Sequence, residues 1–445
     1  MRVSIIGAGY VGLVSGACLA EKGHQVICVD IDPSKVEQIN SAASPIFEVG
    51  LAELLKRNVP DRLVATTDLR HAVQETEISV IAVGTPFDGK VIDLRFIREV
   101  AELIGVALRS KSTYHVVAVK STVVPGTTDD VVLPILVRAS GKIAGAEFGL
   151  GMNPEFLTEG EAVQDFMNPD RIVLGGIDDR TISILDLLYA EFSNIERIRC
   201  NNRTAEMIKY VSNSLLATMI SFSNEIGNLC ASLGNIDVVE VLRGVHISKY
   251  LCTQMPGGEK ILPPITSFLG AGCGFGGSCL PKDVKALVAH GESAGASMRL
   301  LEAVIKTNEA QPGKVIGLLR KHFPRLEGIR VGILGLSFRP GTDDMRESPA
   351  IPIIRSLVQQ GAIVQAYDPV ARSQAERIFA KEEVRLCHSL EQVIQNVDAL
   401  VLVTRWDEFN ELPKLLSAIN AQPVLVDGRR VIDKHSVAKY EGIGL

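Results

Sequence analysis

The chain has 445 residues, 46% of them hydrophobic and 22% charged, with a formal net charge of −6. That length exceeds one ordinary core and implies two or three domains. The negative balance gives no general electrostatic case for nucleic acid or an anionic membrane, and no charge-free apolar run reaches the length of a membrane span.

Eight cysteines and eight histidines are scattered, without Cys-x-x-Cys or metal-ligand spacing. The expectation is therefore no metal, no disulfide framework and a reducing cytoplasm. The apolar run at the N-terminus is too short for a signal peptide.

Val3–Ile6 reads as a short buried strand, Val11–Lys22 as a helix and Gln25–Val29 as a second strand ending at Asp30. Apolar strands recur at Ile78–Val83, His115–Val119 and Ile172–Leu174. Residues 1–200 are predicted to form a Rossmann-like, doubly wound α/β domain. Met207, Ile208, Val211, Leu215, Met219, Ile220, Phe222 and Ile226 then follow helical periodicity, and no strand candidates interrupt them. Residues 201–310 are predicted to be a helical segment with one long central helix, in which Thr253–Pro264 is a loop. A second Rossmann-like domain is expected over residues 325–445. Its strands are Arg330–Leu334, Ile363–Tyr367 (ending in Asp368), Ala399–Thr404 and Pro423–Val426.

Gly7, Gly9 and Gly12 match Gly-x-Gly-x-x-Gly in its strand–turn–helix setting, with Tyr10 and Val11 between the last two glycines. Asp30 ends the next strand. Its carboxylate can accept ribose hydroxyl bonds and would repel a 2′-phosphate, which favours NAD over NADP. Lys35 can approach the adenosine ribose or remain solvated. Thr85 and Thr122 each follow a strand, where they can meet the cofactor, order a water or cap a local turn.

Three pairs have a spacing of four: Glu155 with Glu159, Lys209 with Asn213, and Cys279 with Asp283. A helical turn would put each pair on one face. The expectation is that Glu155 and Glu159 occupy such a turn after Pro154. Cys279 follows a glycine-crowded stretch, Gly272–Gly277, and would lie near a helix N-terminus, where the dipole favours a thiolate. A nicotinamide accepts one hydride from an alcohol. Oxidation onward to a carboxylate needs a nucleophile such as Cys279, which passes through a thiohemiacetal to a thioester. A Lys ammonium and an Asn amide can stabilise the oxyanions, and a carboxylate can activate the hydrolytic water. An alcohol dehydrogenase that stops at the aldehyde and a non-catalytic NAD-binding scaffold are the rival readings.

The chain resembles the UDP-glucose/GDP-mannose dehydrogenase family over nearly its whole length. The matching segments include Gly7–Gly12, Gly84–Pro86, Ser121–Gly126, Asn153–Leu157, Asn168–Gly175, Ala205–Asn213, Gly274–Asp283 and Thr342–Ser348. The resemblance implies that Cys279 is the covalent nucleophile, supported by Lys209, Asn213 and Asp283. Thr122 and Glu159 would handle water and protons, with Glu155 close by. It also implies that Lys282 and Arg346 lie on the cofactor side with Thr122 and Glu159. Glu155, Phe156, Leu157, Lys209, Asn213, Phe268, Leu269, Gly272, Gly276, Phe338, Arg339 and Arg429 would lie on the substrate side. Arg339 stands where the family usually has Lys, and the longer Pro-rich segment before Phe268 is a second departure. The intact Pro169–Ile172 run resembles UDP-glucose members. The implied reaction is therefore NAD-dependent oxidation of UDP-glucose to UDP-glucuronate, with GDP-mannose or a UDP-N-acetylhexosamine as the alternative substrate. The implied assembly is a homodimer, or a higher homo-oligomer, with the long helix at its interface.

Overall fold

Glycine turns and buried apolar strands build two separate α/β sheets. The computed structural model describes residues 1–419 and 422–445. The chain divides into two units, Met1–Ser212 and Asn213–Leu445. The first holds eight strands: β1 (Arg2–Ile6), β2 (Gln25–Val29), β3 (Leu63–Thr66), β4 (Ile78–Ile81), β5 (His115–Val119), β6 (Phe148–Met152), β7 (Arg171–Gly176) and β8 (Glu196–Cys200). Their order is β3-β2-β1-β4-β5-β6-β7-β8. All neighbours pair in parallel except β6 with β7. β4, β5 and β6 are buried throughout, as expected of strands covered by helices on both faces. Ile6 pairs with both Val29 and Ile81, so the ends of β1, β2 and β4 align and the loops leaving them share one edge.

The second unit carries a small antiparallel hairpin, β9 (Thr253–Gln254) with β10 (Lys260–Ile261), inside the stretch expected to be loop. Its main sheet has six strands: β11 (Arg330–Leu334), β12 (Ile363–Tyr367), β13 (Val384–Leu386), β14 (Ala399–Leu402), β15 (Val424–Asp427) and β16 (Tyr440–Gly442). They run in the order β13-β12-β11-β14-β15-β16, all parallel. The fold is therefore two Rossmann-like α/β sheets with a long helix between them in the chain.

That helix, Asn202–Leu233, has 32 residues. Asn201 starts it, its side-chain oxygen accepting from the Thr204 N–H at 2.8 Å. Gly234, at φ +72°, ends it in the left-handed region.

One local expectation fails. Glu155 and Glu159 are not on a helical turn; residues 153–160 are irregular, and the helix begins only at Ala162. Side chains take the backbone donors there in place of carbonyls one turn back. Glu155 accepts from the Leu157 N–H at 2.6 Å, and Glu48 accepts from the Gly160 and Ala162 N–H groups at 2.8 and 2.9 Å.

Candidate active site

The first unit presents a dinucleotide cradle. Gly7 turns at φ +101°, and a Cβ on Gly12 would lie 1.8 Å from the Gly7 carbonyl oxygen, so neither position accepts a larger residue. A Cβ on Gly9 would meet nothing within 4 Å, so open space lies beside this glycine. Gly9 caps the helix Tyr10–Glu21 without a side-chain bond, which leaves amide donors and the positive helix end for a pyrophosphate. Asp30 accepts from the Ala8 and Asp32 N–H groups, each at 3.0 Å, and Lys35 Nζ lies 3.7 Å from its carboxylate. These residues fit a dinucleotide whose ribose bonds to Asp30. The Tyr10 hydroxyl is occupied elsewhere: it donates to Glu48 and accepts from the Gly160 N–H. Burial first, and the Glu48 carboxylate second, push its pKa upward.

Thr85 follows β4, and its hydroxyl donates to the Thr122 carbonyl at 2.7 Å. Two strand-end loops are thereby joined. In the same unit, Glu155 and Lys209 form an ion pair at 2.9 Å, with side chains 5% and 4% exposed. Burial alone would raise the Glu155 pKa, but the Lys209 ammonium, the Leu157 N–H and Lys120 outweigh it and hold the carboxyl below its ordinary range. The Phe156 ring lies 5.5 Å from Lys209 Nζ and 3.9 Å from the Arg171 guanidinium.

The second unit holds the cysteine loop. Cys279 caps the helix Leu280–Ser293, with Pro281 in its first turn, and its sulfur lies 3.5 Å from the Ser278 hydroxyl. Asp283 lies one turn on and is fully buried. Its carboxylate accepts from the Asn213 amide at 2.6 Å and pairs with Lys282 at 2.6 Å. Asn213 lies one turn beyond Lys209 on the long helix.

Amide side chains fix the loop before Cys279. Asn224 accepts from the Gly272 N–H at 2.7 Å, Gln311 donates to the Gly272 carbonyl at 2.7 Å, and Asn308 makes both bonds to the Phe275 backbone at 2.8 and 3.0 Å. Gly277 donates to the Arg346 carbonyl at 2.9 Å. At φ +85°, a Cβ on Gly277 would lie 2.7 Å from the Phe338 ring. A Cβ on Gly276 would lie 2.3 Å from the Glu347 carbonyl oxygen, so this glycine serves close backbone packing. Arg429 is tied to the same loop, donating to the Val403 and Gly274 carbonyls at 2.6 and 2.8 Å. Arg346 forks onto Asp344. Leu269 is buried, and Phe268 is partly exposed at the end of a short 3₁₀ turn.

Matches to known proteins decide what these arrangements belong to. Three models of the UDP-glucose/GDP-mannose dehydrogenase family match in succession: the NAD binding domain over residues 1–193, the central domain over 203–310 and the UDP binding domain over 332–434. The chain belongs to the UDP-glucose/GDP-mannose dehydrogenase family. It is similar to the UDP-glucose 6-dehydrogenase AglM of Haloferax volcanii, at 41% identity covering 100% of both chains. It is also similar to the GDP-mannose 6-dehydrogenase of Pseudomonas putida, at 38% identity covering 100% of both. Among solved structures, a UDP-glucose dehydrogenase from Pyrobaculum islandicum superposes with a TM-score of 0.89 at 36% identity, covering 99% of this chain and 97% of that one. As a member of this family the chain is an NAD-dependent nucleotide-sugar dehydrogenase, and NAD is its cofactor. Among the described residues, no helix is long and apolar enough to cross a membrane, and no cluster of His, Cys, Asp or Glu could hold a metal ion.

Glu48, Asn224, Asn308 and Gln311 take part in these arrangements, and Glu206 accepts from the Gly126 and Thr128 amides, without standing out from the sequence motifs. A signal did exist for Glu206. It falls on the buried face of the long helix beside Ala205, Lys209 and Tyr210, where a carboxylate needs partners.

Proposed function

We propose that this family member oxidises the C6 alcohol of UDP-glucose twice, to the carboxylate of UDP-glucuronate, through covalent intermediates on Cys279. The observation that carries the covalent reading is Cys279 at a helix N-cap one turn before Asp283, a buried carboxylate bonded by Asn213 and Lys282. NAD, when bound, accepts one hydride in each oxidation, so two are reduced per turnover.

The first oxidation takes a hydride from C6 and releases the hydroxyl proton to water, leaving an aldehyde. The Cys279 thiolate adds to that carbon, forming a C–S bond and an alkoxide. Lys209, ion-paired with Glu155, and the Asn213 amide stabilise the oxyanion. Loss of the second hydride restores C=O and leaves a thioester. Water then adds to the thioester carbon as a carboxylate takes its proton; Asp283 is the proposed base, with Thr122 and Glu159 ordering the water. The C–S bond breaks, the thiolate is regenerated and the acid departs. The balance is R–CH₂OH + 2 NAD⁺ + H₂O → R–COO⁻ + 2 NADH + 3 H⁺.

Residues 1–200 then serve NAD, with Lys282 and Arg346 contributed from the rest of the chain. Residues 325–445 hold the sugar nucleotide, with Phe338, Arg339 and Arg429 at the strand ends. The central segment, 201–310, supports dimerisation: Met207, Val211, Leu215, Phe222, Leu229 and Leu233 are exposed along one helix. The proposed setting is a reducing cytoplasm, because the eight cysteines are scattered along the sequence without paired spacing.

Full-length similarity to a UDP-glucose enzyme and the Pro169–Ile172 run support glucose. Full-length similarity to a GDP-mannose enzyme supports GDP-mannose as the second reading. Steady-state turnover with UDP-glucose, GDP-mannose and UDP-N-acetylglucosamine tests the choice. The expected outcome is two NADH per UDP-glucose, with kcat/KM at least about tenfold above the others. Strong turnover of another sugar nucleotide with none of UDP-glucose would overturn the sugar. One NADH with a released aldehyde would overturn the thioester.

A further inference from the structure

We propose that Glu206 is a positioning residue that fixes the segment Thr122–Thr128 against the helix carrying Lys209. The inference rests on the proposed role of Thr122 in ordering the hydrolytic water. Glu206 is fully buried on the helix Asn202–Leu233, three residues before Lys209. Three donors converge on its carboxylate: the Gly126 N–H at 2.6 Å, the Thr128 N–H at 2.8 Å and the Thr128 hydroxyl at 2.6 Å.

Local geometry explains why they need an outside acceptor. Gly126 turns at φ +96° into a π-helical turn, Thr127–Val132. The first amides of any helix have no carbonyl behind them, and a π turn leaves more of them orphaned than an α turn does. Thr127 and Asp130 find the carbonyls of Val124 and Gly126. The Gly126 and Thr128 amides find Glu206, eighty and seventy-eight residues along the chain. The other end of the segment is held by Thr85 through the Thr122 carbonyl. Thr122 is therefore one held end of the segment, bonded by Thr85, and Glu206 holds the other end on the helix of Lys209. Once ionised, the carboxyl is acceptor-only and suits three converging donors, whereas an amide would turn its own N–H groups toward one of them.

A double-variant cycle in kcat tests this. Glu206→Gln is expected to lower kcat about tenfold by misplacing the segment, with KM for both substrates held within about twofold. Thr128→Val removes one donor at constant shape and should lower kcat by about threefold. In a Thr122→Ala background, either change should cost less than about twofold further, because the residue being positioned has gone. Amide exchange of the ligand-free protein gives a second readout: the peptide spanning residues 121–130 should exchange about tenfold faster in Glu206→Gln. If Glu206→Gln fails to fold, Thr128→Val carries the same cycle. Losses that multiply in full with Thr122→Ala would assign Glu206 a structural role only and overturn the inference. An impaired Thr122→Ala beside an unaffected Glu206→Gln would sink the inference and leave the reading of Thr122 intact. An unimpaired Thr122→Ala would sink both.

Discussion

The two sheets end their second strands with the same residue type at the same topological place, yet the two carboxylates have different occupations. Asp30, after β2, accepts from two backbone amides, Ala8 and Asp32. Asp368, after β12, accepts from the Leu336 and Ser337 amides, the Ser337 hydroxyl and the Trp406 indole on one oxygen, and from the Val370 and Ala371 amides on the other. The glycines that leave the first strands are alike: the Gly7 and Gly335 amides donate to the Val29 and Tyr367 carbonyls, and a Cβ on either would collide with the end of a neighbouring strand, at Ala82 or Thr404. Two residues on, the turns differ: open space lies beside Gly9, whereas Ser337 bonds to Asp368 and its carbonyl accepts from the Thr404 hydroxyl at 2.5 Å. An aspartate at that strand end reads a ribose only when its own backbone leaves the oxygens open. In the second sheet the chain has used that acceptor for its own turns, so a ligand there must be held by other groups at the strand ends.

The comparison breaks most visibly in Asp368→Ala. Six donors would lose a buried acceptor at once, and the expected loss of stability is about 3–5 kcal/mol. Thermal unfolding should show it as a lower Tm, while KM for NAD in the protein that remains folded stays unchanged. A Tm within a degree of the parent would mean that the donors find other acceptors and that the carboxylate is spare.

Asp30→Ala should do the reverse. Only two amides, in partly buried bonds, would lose their acceptor, so stability should fall by no more than about 2 kcal/mol. The lost charge-assisted bonds to ribose should raise KM for NAD about 10- to 100-fold, with KM for the sugar nucleotide unchanged. A large stability loss with an unaltered KM for NAD would erase the distinction between the two sheets.

Much of this architecture was legible in the sequence where burial and period agree. β1, β2, β11 and β12 are short apolar runs bounded by glycine or aspartate, and they lie within a residue of where the pattern put them. β6 is Phe-Gly-Leu-Gly-Met, and its two glycines hide a strand that is buried throughout. β8 is Glu-Arg-Ile-Arg-Cys, an edge strand whose charges look like a solvated turn. The spacing of Glu155 and Glu159 suits a helix equally well as a loop. The deciding partner of that loop, Glu48, bonds Gly160 from 112 residues away. Asp368 was visible as a strand end, but its occupation depends on Trp406 and on the turn after β11, both distant in sequence. Local pattern thus located the glycine cradle, the cysteine turn and the long helix. Long-range polar contacts, which leave no periodic trace, decided what each carboxylate does.

The smallest expected effect extends the comparison inside the first unit, where Glu206 behaves like Asp368 and serves its own chain. Burial, reinforced by Asp129 and opposed by the three hydrogen bonds, raises the Glu206 pKa to about 7. The folded state then holds more protons than the unfolded state between about pH 4.3 and 7, so this group's contribution to stability falls as pH rises through that window. His115 has the opposite sign. Burial, with Lys111 adding to it, lowers its pKa to about 3, and the neutral ring bonds to the Thr76 carbonyl and the Ser79 hydroxyl at 3.1 and 2.8 Å. The unfolded chain takes up that proton below about pH 6.5, so stability rises with pH over the same range. The two slopes oppose each other in the parent protein. Glu206→Gln should unmask the histidine slope, and the stability gap between parent and variant should narrow by about 1 kcal/mol per pH unit from about pH 4.5 to 7. Urea midpoints for the first unit's transition at three pH values measure it. A gap that stays constant with pH would mean that the buried carboxyl takes up no extra proton on folding, and that its three donors alone offset its burial.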